Sequence, residues 1–372
     1  MTLTLIEISI VLVGLAVTGI LFYRFPRLPE IKDEDKKFPV VSIIIPVRNE
    51  ENNLSLLLND LSRQTLPVCE IICVDDGSED ATAQVVRSWG AKLISAHNKP
   101  NGWLGKSWAC KRGADVAKGE VFLFLDADVR LERNGLRKLV QAFSELGCTI
   151  SVQPYHKTVK LYEQFSLIFN LVQTAANGAA LPKPSGVGLY GPIIMIARSD
   201  YNQIGGHERV RRIIVEDMAL GQQLKQADLP FRLFVGEEDI SYRMYGDGFR
   251  SLLQGWIKNM AAGAARTSLP VLIMTFLWIT SLASVPLQIV KFAVRGNVLW
   301  FSIYVLLYLV WVVVLRQLSK RVGEFRPLAI VLYPLLLIVF IGVFAVSMFK
   351  KLFGLKVTWK GRSINTEGRP CE

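Results

Sequence analysis

From residue 38 to residue 268 short apolar runs alternate with stretches of helical spacing, the order expected of an α/β domain built on a largely parallel sheet. VVSIII, centred on 41–45, reads as a strand and is followed by a helix from Glu50 toward Ser62. EIICV at 70–74 is a second strand, with a helix opening near Glu79, and KLISA at 92–96 is a third. A helix from Leu104 to Ala117 then leads into VFLFL at 121–125. Around this domain the alternation gives way to unbroken apolar text at 3–23, 269–290, 298–315 and 328–349. Each run spans, or nearly spans, a hydrocarbon core of roughly 30 Å as a helix, and they hardly show the 3.6-residue polar period of soluble helices.

The chain therefore divides into an N-terminal transmembrane anchor at 1–24, an α/β domain at 38–268, membrane segments at 269–349 and a basic tail at 350–372. In the first run Glu7 is the only charge, and Arg24 and Arg27 follow the apolar stretch instead of preceding it. That polarity predicts a retained anchor, with the N-terminus outside and residue 24 onward in the cytosol. If all three later runs cross, the tail with Lys350, Lys351, Lys356, Lys360 and Arg362 ends outside, against the positive-inside tendency. A re-entrant hairpin over 328–349, bent at Pro334, leaves inside both the tail and the loop with Arg316, Lys320, Arg321 and Arg326. The rival arrangement is an interfacial segment at 269–290, bounded by Pro270 and bent at Pro286.

Composition narrows the class. The chain has 372 residues, 51% of them hydrophobic, and a formal charge of +11; its mean hydropathy is +0.32 and its pI about 9.4. A disordered tail and a small disulfide scaffold are both excluded. The five cysteines, Cys69, Cys73, Cys110, Cys148 and Cys371, show no metal-type pairing, and their odd number suits a reducing compartment. The positive excess lies beside the apolar runs and no recognition motif accompanies it, which argues against a nucleic-acid partner and for a bilayer.

Polar residues gather where the strands stop: PVRNE at 46–50, DDGS at 75–78 and DAD at 126–128. Ligands of open α/β sheets bind beyond the carboxyl ends of the strands, so the three clusters should converge on one pocket. Taken singly, Asn49, Asp76 and Ser78 equally suit helix caps. Asp126 and Asp128 form a stronger signal, because two carboxylates one residue apart after an apolar strand repel unless a positive charge sits beside them. Mg²⁺ or Mn²⁺ supplies such a charge through oxygen ligands and substrate phosphates. His97, His156 and His207 are isolated and offer no zinc cage.

VSIIIPVRNE, IICVDDGSED, NGWLGKSWACKRGADVAKGEVFLFLDADV, RSDYNQIGGH and VEDMALG occur in the order seen in family 2 inverting glycosyltransferases, and over about 40–260 the chain resembles that family. The resemblance implies the GT-A nucleotide-diphospho-sugar transferase fold, a Rossmann-like, mainly parallel sheet. It places Pro46, Arg48, Asn49 and Glu50 along the nucleotide, Asp75 or Asp76 on the uracil imide, Lys106 near the donor phosphates, Asp126 by the ribose and Asp128, with Asp126, on the cation. Asp217 in VED corresponds to the catalytic base, although Glu216 and Asp217 would also favour a helix start on spacing alone. Gly206 and His207 belong to the acceptor-side loop. Where related membrane enzymes carry an Arg-Trp pair, this chain has Gln254, Gly255 and Trp256, so only Trp256, with Arg250 or Gln254 as substitutes, carries over. Along its whole length, including SVQPYH, YRMYGDGFRSLLQGW and VTWKGR, the chain resembles members that act on carotenoid carboxylates. The resemblance therefore implies a UDP-sugar donor, glucose from UDP-glucose, and a C30 carotenoid acceptor lying in the bilayer. Diacylglycerol, ceramide-like and polyprenyl-phosphate lipids are alternative acceptors. A nucleotide-sensing transporter or lipid carrier is disfavoured, because the apolar runs contain almost no ionisable residues.

Overall fold

A computed structural model describes residues 2–32 and 37–365, with side chains for 6–32 and 37–363. Residues 366–372 of the basic tail, with Cys371, lie outside the described residues. The strands are β1 (Val41–Val47), β2 (Glu70–Asp75), β3 (Lys92–Ser95), β4 (Val121–Leu125), β5 (Val129–Leu131), β6 (Thr149–Gln153), β7 (Tyr155–His156), β8 (Ile193–Ala197), β9 (Phe231–Val235), β10 (Ile240–Tyr242), β11 (Lys356–Trp359) and β12 (Arg362–Asn365). The helices are α1 (Thr2–Leu21), α2 (Glu51–Ser62), α3 (Thr82–Ser88), α4 (Gly105–Val116), α5 (Gly135–Leu146), α6 (Ser166–Asn177), α7 (Arg198–Gln203), α8 (Gly206–Arg209), α9 (Glu216–Gln226), α10 (Phe249–Ala264), α11 (Leu269–Val294), α12 (Val298–Val322), α13 (Pro327–Val331) and α14 (Tyr333–Leu352).

The first four strands and their helices fall where the alternation of apolar runs places them. They join a sheet of order β3-β2-β1-β4-β8-β6-β9. Its pairs are parallel except that β8 runs against both β4 and β6. The exception matters for the site: because β8 is reversed, its leading residues Gly191 and Pro192 arrive at the edge where β1, β2 and β4 end. Ile43, Ile45 and Leu123 face one core with Leu54 and Leu58 of α2; Ile44, Val74 and Phe122 face another with Ala109 and Cys110 of α4. A small second sheet, β5-β10-β7, extends the chain immediately after Asp128.

The helices α11, α12 and α14 are long and apolar enough to cross a membrane. Their outward faces carry large exposed apolar side chains, such as Phe276, Leu306 and Ile338, which an aqueous protein does not display in bulk. The α1 helix lies along α11, with the Ser281 hydroxyl donating to the Val11 carbonyl at 3.2 Å. Near the far end of the pair Lys291 meets Glu7 at 2.6 Å, which accounts for the lone acid in the first apolar run. The end of α12 returns to the α/β domain: the Glu324 amide donates to the His156 carbonyl at 2.8 Å.

The last apolar run is broken into α13 and α14 at Leu332, two residues before Pro334, where the bend is expected. Arg326 is tied to Gln164 of the α/β domain at 2.8 Å. Five residues later Tyr308 donates to the Val331 carbonyl, and Tyr333 donates to Leu282 midway along α11 at 3.4 Å. From that depth α14 runs back, and at its other end Ser347 accepts from the Ala261 amide of α10 at 3.0 Å and Lys351 donates to the Ala261 carbonyl at 2.9 Å. The residues expected as a basic tail then form a two-stranded hairpin, β11–β12, against α10.

Candidate active site

A single cavity of about 1140 Å³ opens beyond the carboxyl ends of β1, β2 and β4. It exceeds the roughly 300–1,000 Å³ of ordinary small-molecule pockets, enough for more than one ligand. Pro46, Arg48, Glu50, Asp76, Lys106, Asp126, Asp128, Asp217 and Trp256 line it, so the strand-end clusters do converge. From this polar end the cavity continues between α11 and α14, past Thr275, Phe276, Ile279 and Ala283 on one wall and Phe340 and Phe344 on the other.

At the polar end Lys106, in the first turn of α4, bridges two acids. Its ammonium stands 2.7 Å from Asp126 and 3.4 Å from Glu216. Burial alone would lower its pKa, but Asp126 and Glu216 outweigh burial and hold it well above the ordinary lysine value. Asp128 is different: among the described residues no hydrogen bond or ion pair reaches its carboxylate. Burial, then repulsion from Asp126 and Glu50, raises it to about 8. A half-buried carboxylate beside two others, with no cation paired to it, is an incomplete charge arrangement. No group of three acids, histidines or cysteines able to hold a metal alone is present among the described residues. One or two carboxylates completed by diphosphate oxygens and water is the way hard divalent cations are commonly held, and Asp128 with Asp126 fits it.

Asp217 stands in the first turn of α9, where its carboxylate accepts from the Met218 amide at 2.8 Å. Burial and the neighbouring Glu216 raise it to about 7, partly opposed by Lys106. A carboxyl that titrates near neutrality at the wall of a cavity is suited to proton transfer. Asp76 rests on the start of α4; a methyl group on Gly105 would come within 2.0 Å of its carboxylate, so a glycine there admits the contact.

The structure separates other expected site residues from the cavity. Asp75 accepts from the Ser78 amide and hydroxyl at 2.8 and 2.7 Å, so it locks the β2 turn and leaves the cavity wall to Asp76. Asn49, at φ +50°, accepts from the Glu79 amide at 2.8 Å and ties the two strand-end loops together. His207 is buried beside Tyr201, 2.9 Å from its hydroxyl, and burial lowers its pKa to about 3. Neither it nor Gly206 lines the cavity. Arg250 is exposed and Gln254 does not line the cavity. Trp256 does, stacked on Phe169 with centroids 4.6 Å apart. Gly255 precedes it because Tyr245 fills the adjoining space: a methyl group would come within 2.2 Å of that ring. Tyr245, Lys258 and Glu216 line the cavity without having been singled out as substrate contacts, and so do Trp359, Lys360 and Arg362 of the C-terminal hairpin.

A sheet of this order, with an acidic cavity at its strand ends, has the GT-A-like fold. A mannosyltransferase from Pyrobaculum calidifontis, solved in complex with GDP-Man and Mn²⁺, shares the fold with a TM-score of 0.54 at 14% identity, covering 92% of this chain and 99% of that one. The family model for glycosyl transferase family 2 matches residues 42–205. The 4,4'-diaponeurosporenoate glycosyltransferase of Staphylococcus haemolyticus is 34% identical over 363 residues, 94% of this chain and 95% of the relative. Its counterpart in Staphylococcus aureus is 34% identical over 366 residues, 95% of each. The chain belongs to glycosyl transferase family 2 and is an enzyme of that family.

Proposed function

We propose that this enzyme transfers glucose from UDP-glucose, with inversion, to the carboxylate of a C30 carotenoid, 4,4'-diaponeurosporenoate, forming a glucosyl ester in a staphyloxanthin-type pathway. The observation that carries the reading is the continuity of the cavity. Its polar end holds Lys106, Asp126, Asp128 and Asp217, and its other arm is apolar and runs between α11 and α14, where Phe276 and Ile341 are open to the outside. Leu272 to Ala283 spans about 16 Å of helix, which suits an elongated apolar acceptor whose remainder stays in lipid.

In this reading Asp76 meets the uracil, Lys106 the donor phosphates, and Asp128 with Asp126 a Mg²⁺ or Mn²⁺ ion. When bound, the cation supplies Lewis-acid charge for the departing diphosphate. Asp217 holds the acceptor head on the face of the sugar opposite the diphosphate. The new C1–O bond forms as the C1–O(phosphate) bond breaks, which inverts the anomeric centre. An alcohol acceptor would pass its proton to Asp217; a carboxylate, with a pKa near 4 to 5, arrives without one, so Asp217 there orients. Trp256, rigid on Phe169, closes the side between sugar and apolar arm.

The α/β domain and the basic hairpin lie on the cytosolic side, α1, α11 and α12 cross, and α13–α14 is re-entrant. Radiolabelled UDP-glucose supplied to membranes with the carotenoid carboxylate tests the assignment: label in a base-labile carotenoid ester is expected. Label only in diacylglycerol, ceramide or polyprenyl-phosphate fractions overturns the acceptor, and label from GDP-mannose alone overturns the donor.

A further inference from the structure

The C-terminal hairpin turns its basic tip into the cavity. Lys360 and Gly361 form its tip, both with positive φ, the backbone of a tight two-residue hairpin turn. That turn projects Lys360 to one side and Arg362 just beyond it into the cavity. The Lys360 ammonium pairs with the Glu50 carboxylate and donates to the Arg48 carbonyl at 2.8 Å. The Arg362 guanidinium meets the Asp76 carboxylate at 2.5 Å and its carbonyl at 3.0 Å. The hairpin is mounted firmly: Trp359 packs edge-on against Tyr245, with centroids 5.8 Å apart, and the Lys258 ammonium sits 4.8 Å from the Trp359 ring centre. Thus a segment about 300 residues from β1 contributes two of the cavity's cations.

We propose that Lys360 and Arg362 are donor-site residues, supplied by the C-terminus, that bind the diphosphate of a nucleoside diphosphate and roof its pocket. The inference rests on the nucleotide-sugar reading above. The chemistry follows from charge. The polar end of the cavity is dense in carboxylates, and Lys106 is already held between Asp126 and Glu216, so a diphosphate there draws on the other cations of the wall, Lys360 and Arg362 among them. Lys360 faces both Glu50 and the side of the cavity where Asp128 stands. Arg362 uses part of its five-donor fork on Asp76 and has further donors for phosphate oxygens. Lys360 is paired with Glu50 and Arg362 with Asp76, which holds both cations at the cavity wall, where the donor phosphates would meet them. Both pairs keep the hairpin closed over the site.

Titration of the purified full-length protein with UDP and with uridine, in Mn²⁺ and by calorimetry, tests this. Removing two charge-assisted contacts predicts that Lys360→Ala with Arg362→Ala weakens UDP by about tenfold to a hundredfold, with uridine changed less than about twofold. Lys360→Arg with Arg362→Lys is expected to recover most of the UDP affinity. UDP affinity unchanged in the double alanine variant overturns the proposal. An equal loss for UDP and uridine also overturns it, since the hairpin would then be a structural prop. The same pairs run with GDP and guanosine separate this outcome from failure of the donor assignment. A wild-type protein that prefers GDP refutes UDP, while the nucleotide-to-nucleoside difference still decides the role of the hairpin. If wild type binds neither nucleotide, both readings fall.

Discussion

Asp217 and Asp128 are both pushed up by burial among acids, yet the two shifts have opposite uses. For Asp217, raised to about 7, the charged form grows as pH rises through neutrality. With an alcohol acceptor, kcat/KM should rise with pH and level off above about 7, and Asp217→Asn should cost on the order of 10²- to 10⁴-fold and flatten the profile. With a carboxylate acceptor, already ionised above about pH 5, the rise should be absent and the same substitution should cost less than about tenfold. Initial rates of both acceptors across pH 5–9 check this; equal losses would refute the division of roles. For Asp128, raised to about 8 from an ordinary 3.8, the folded protein keeps a proton that the unfolded chain releases. Stability from this group is therefore present at low pH and lost as pH rises through 8. In chelator at pH 9 Asp128→Asn should melt higher than wild type, with the gap narrowing as pH falls and closing only below about pH 4. Mn²⁺ should then raise the melting temperature of wild type alone; equal stabilisation of both would remove Asp128 from the cation site.

At the scale of elements, the legible and the illegible parts differ for physical reasons. The strands β1, β2 and β4 were readable because buried parallel strands are unbroken apolar runs, and their polar ends mark the crevice. The reversal of β8 was not, since direction leaves no trace in a five-residue apolar run, and so the arrival of Gly191 and Pro192 went unforeseen. His207 lies in a loop motif yet packs against Phe124, because a neutral imidazole buries as an aromatic. The hairpin was hidden by a competing explanation: lysines and arginines after an apolar run satisfy the membrane-orientation rule without needing a partner, and two four-residue strands give little pattern. The apolar arm between α11 and α14 carries its own prediction. Ile279 lines it opposite Phe340 and is half-buried, so Ile279→Trp fills the groove without touching the acidic end. The acceptor KM should rise by about tenfold or more, the order expected for filling an apolar slot, with UDP affinity unchanged. Unaltered acceptor kinetics would place the acceptor elsewhere.

For the whole molecule, the contacts at either end of the apolar segments constrain how the chain passes through a bilayer. Domain and hairpin share one cavity, so both must lie on the same face, and the chain between Ser268 and Gly354 must cross an even number of times. In the proposed arrangement α11 leaves that face and α12 returns to it, in keeping with the contact of Glu324 with His156. The third apolar segment can then add no net crossing. Its geometry agrees, because α13 reaches only the depth of Leu282 before α14 turns back to Ala261. At the break Leu332 is exposed, but Ile330 and Tyr333 beside it are buried and the Val331 carbonyl accepts from Tyr308, so part of the irregular backbone is satisfied by protein, as half-depth insertion would require. The apolar walls of α14 and α11 face each other along the cavity, the route that the proposed acceptor would take from lipid to Asp217. Membrane-impermeant maleimide on intact cells distinguishes the arrangements. Val294→Cys, at the exposed far end of α11, should label from outside, and Lys356→Cys on the hairpin only after permeabilisation. Labelling of Lys356→Cys in intact cells would separate the hairpin from the catalytic face. It would thereby remove both the re-entrant segment and the shared site that requires it.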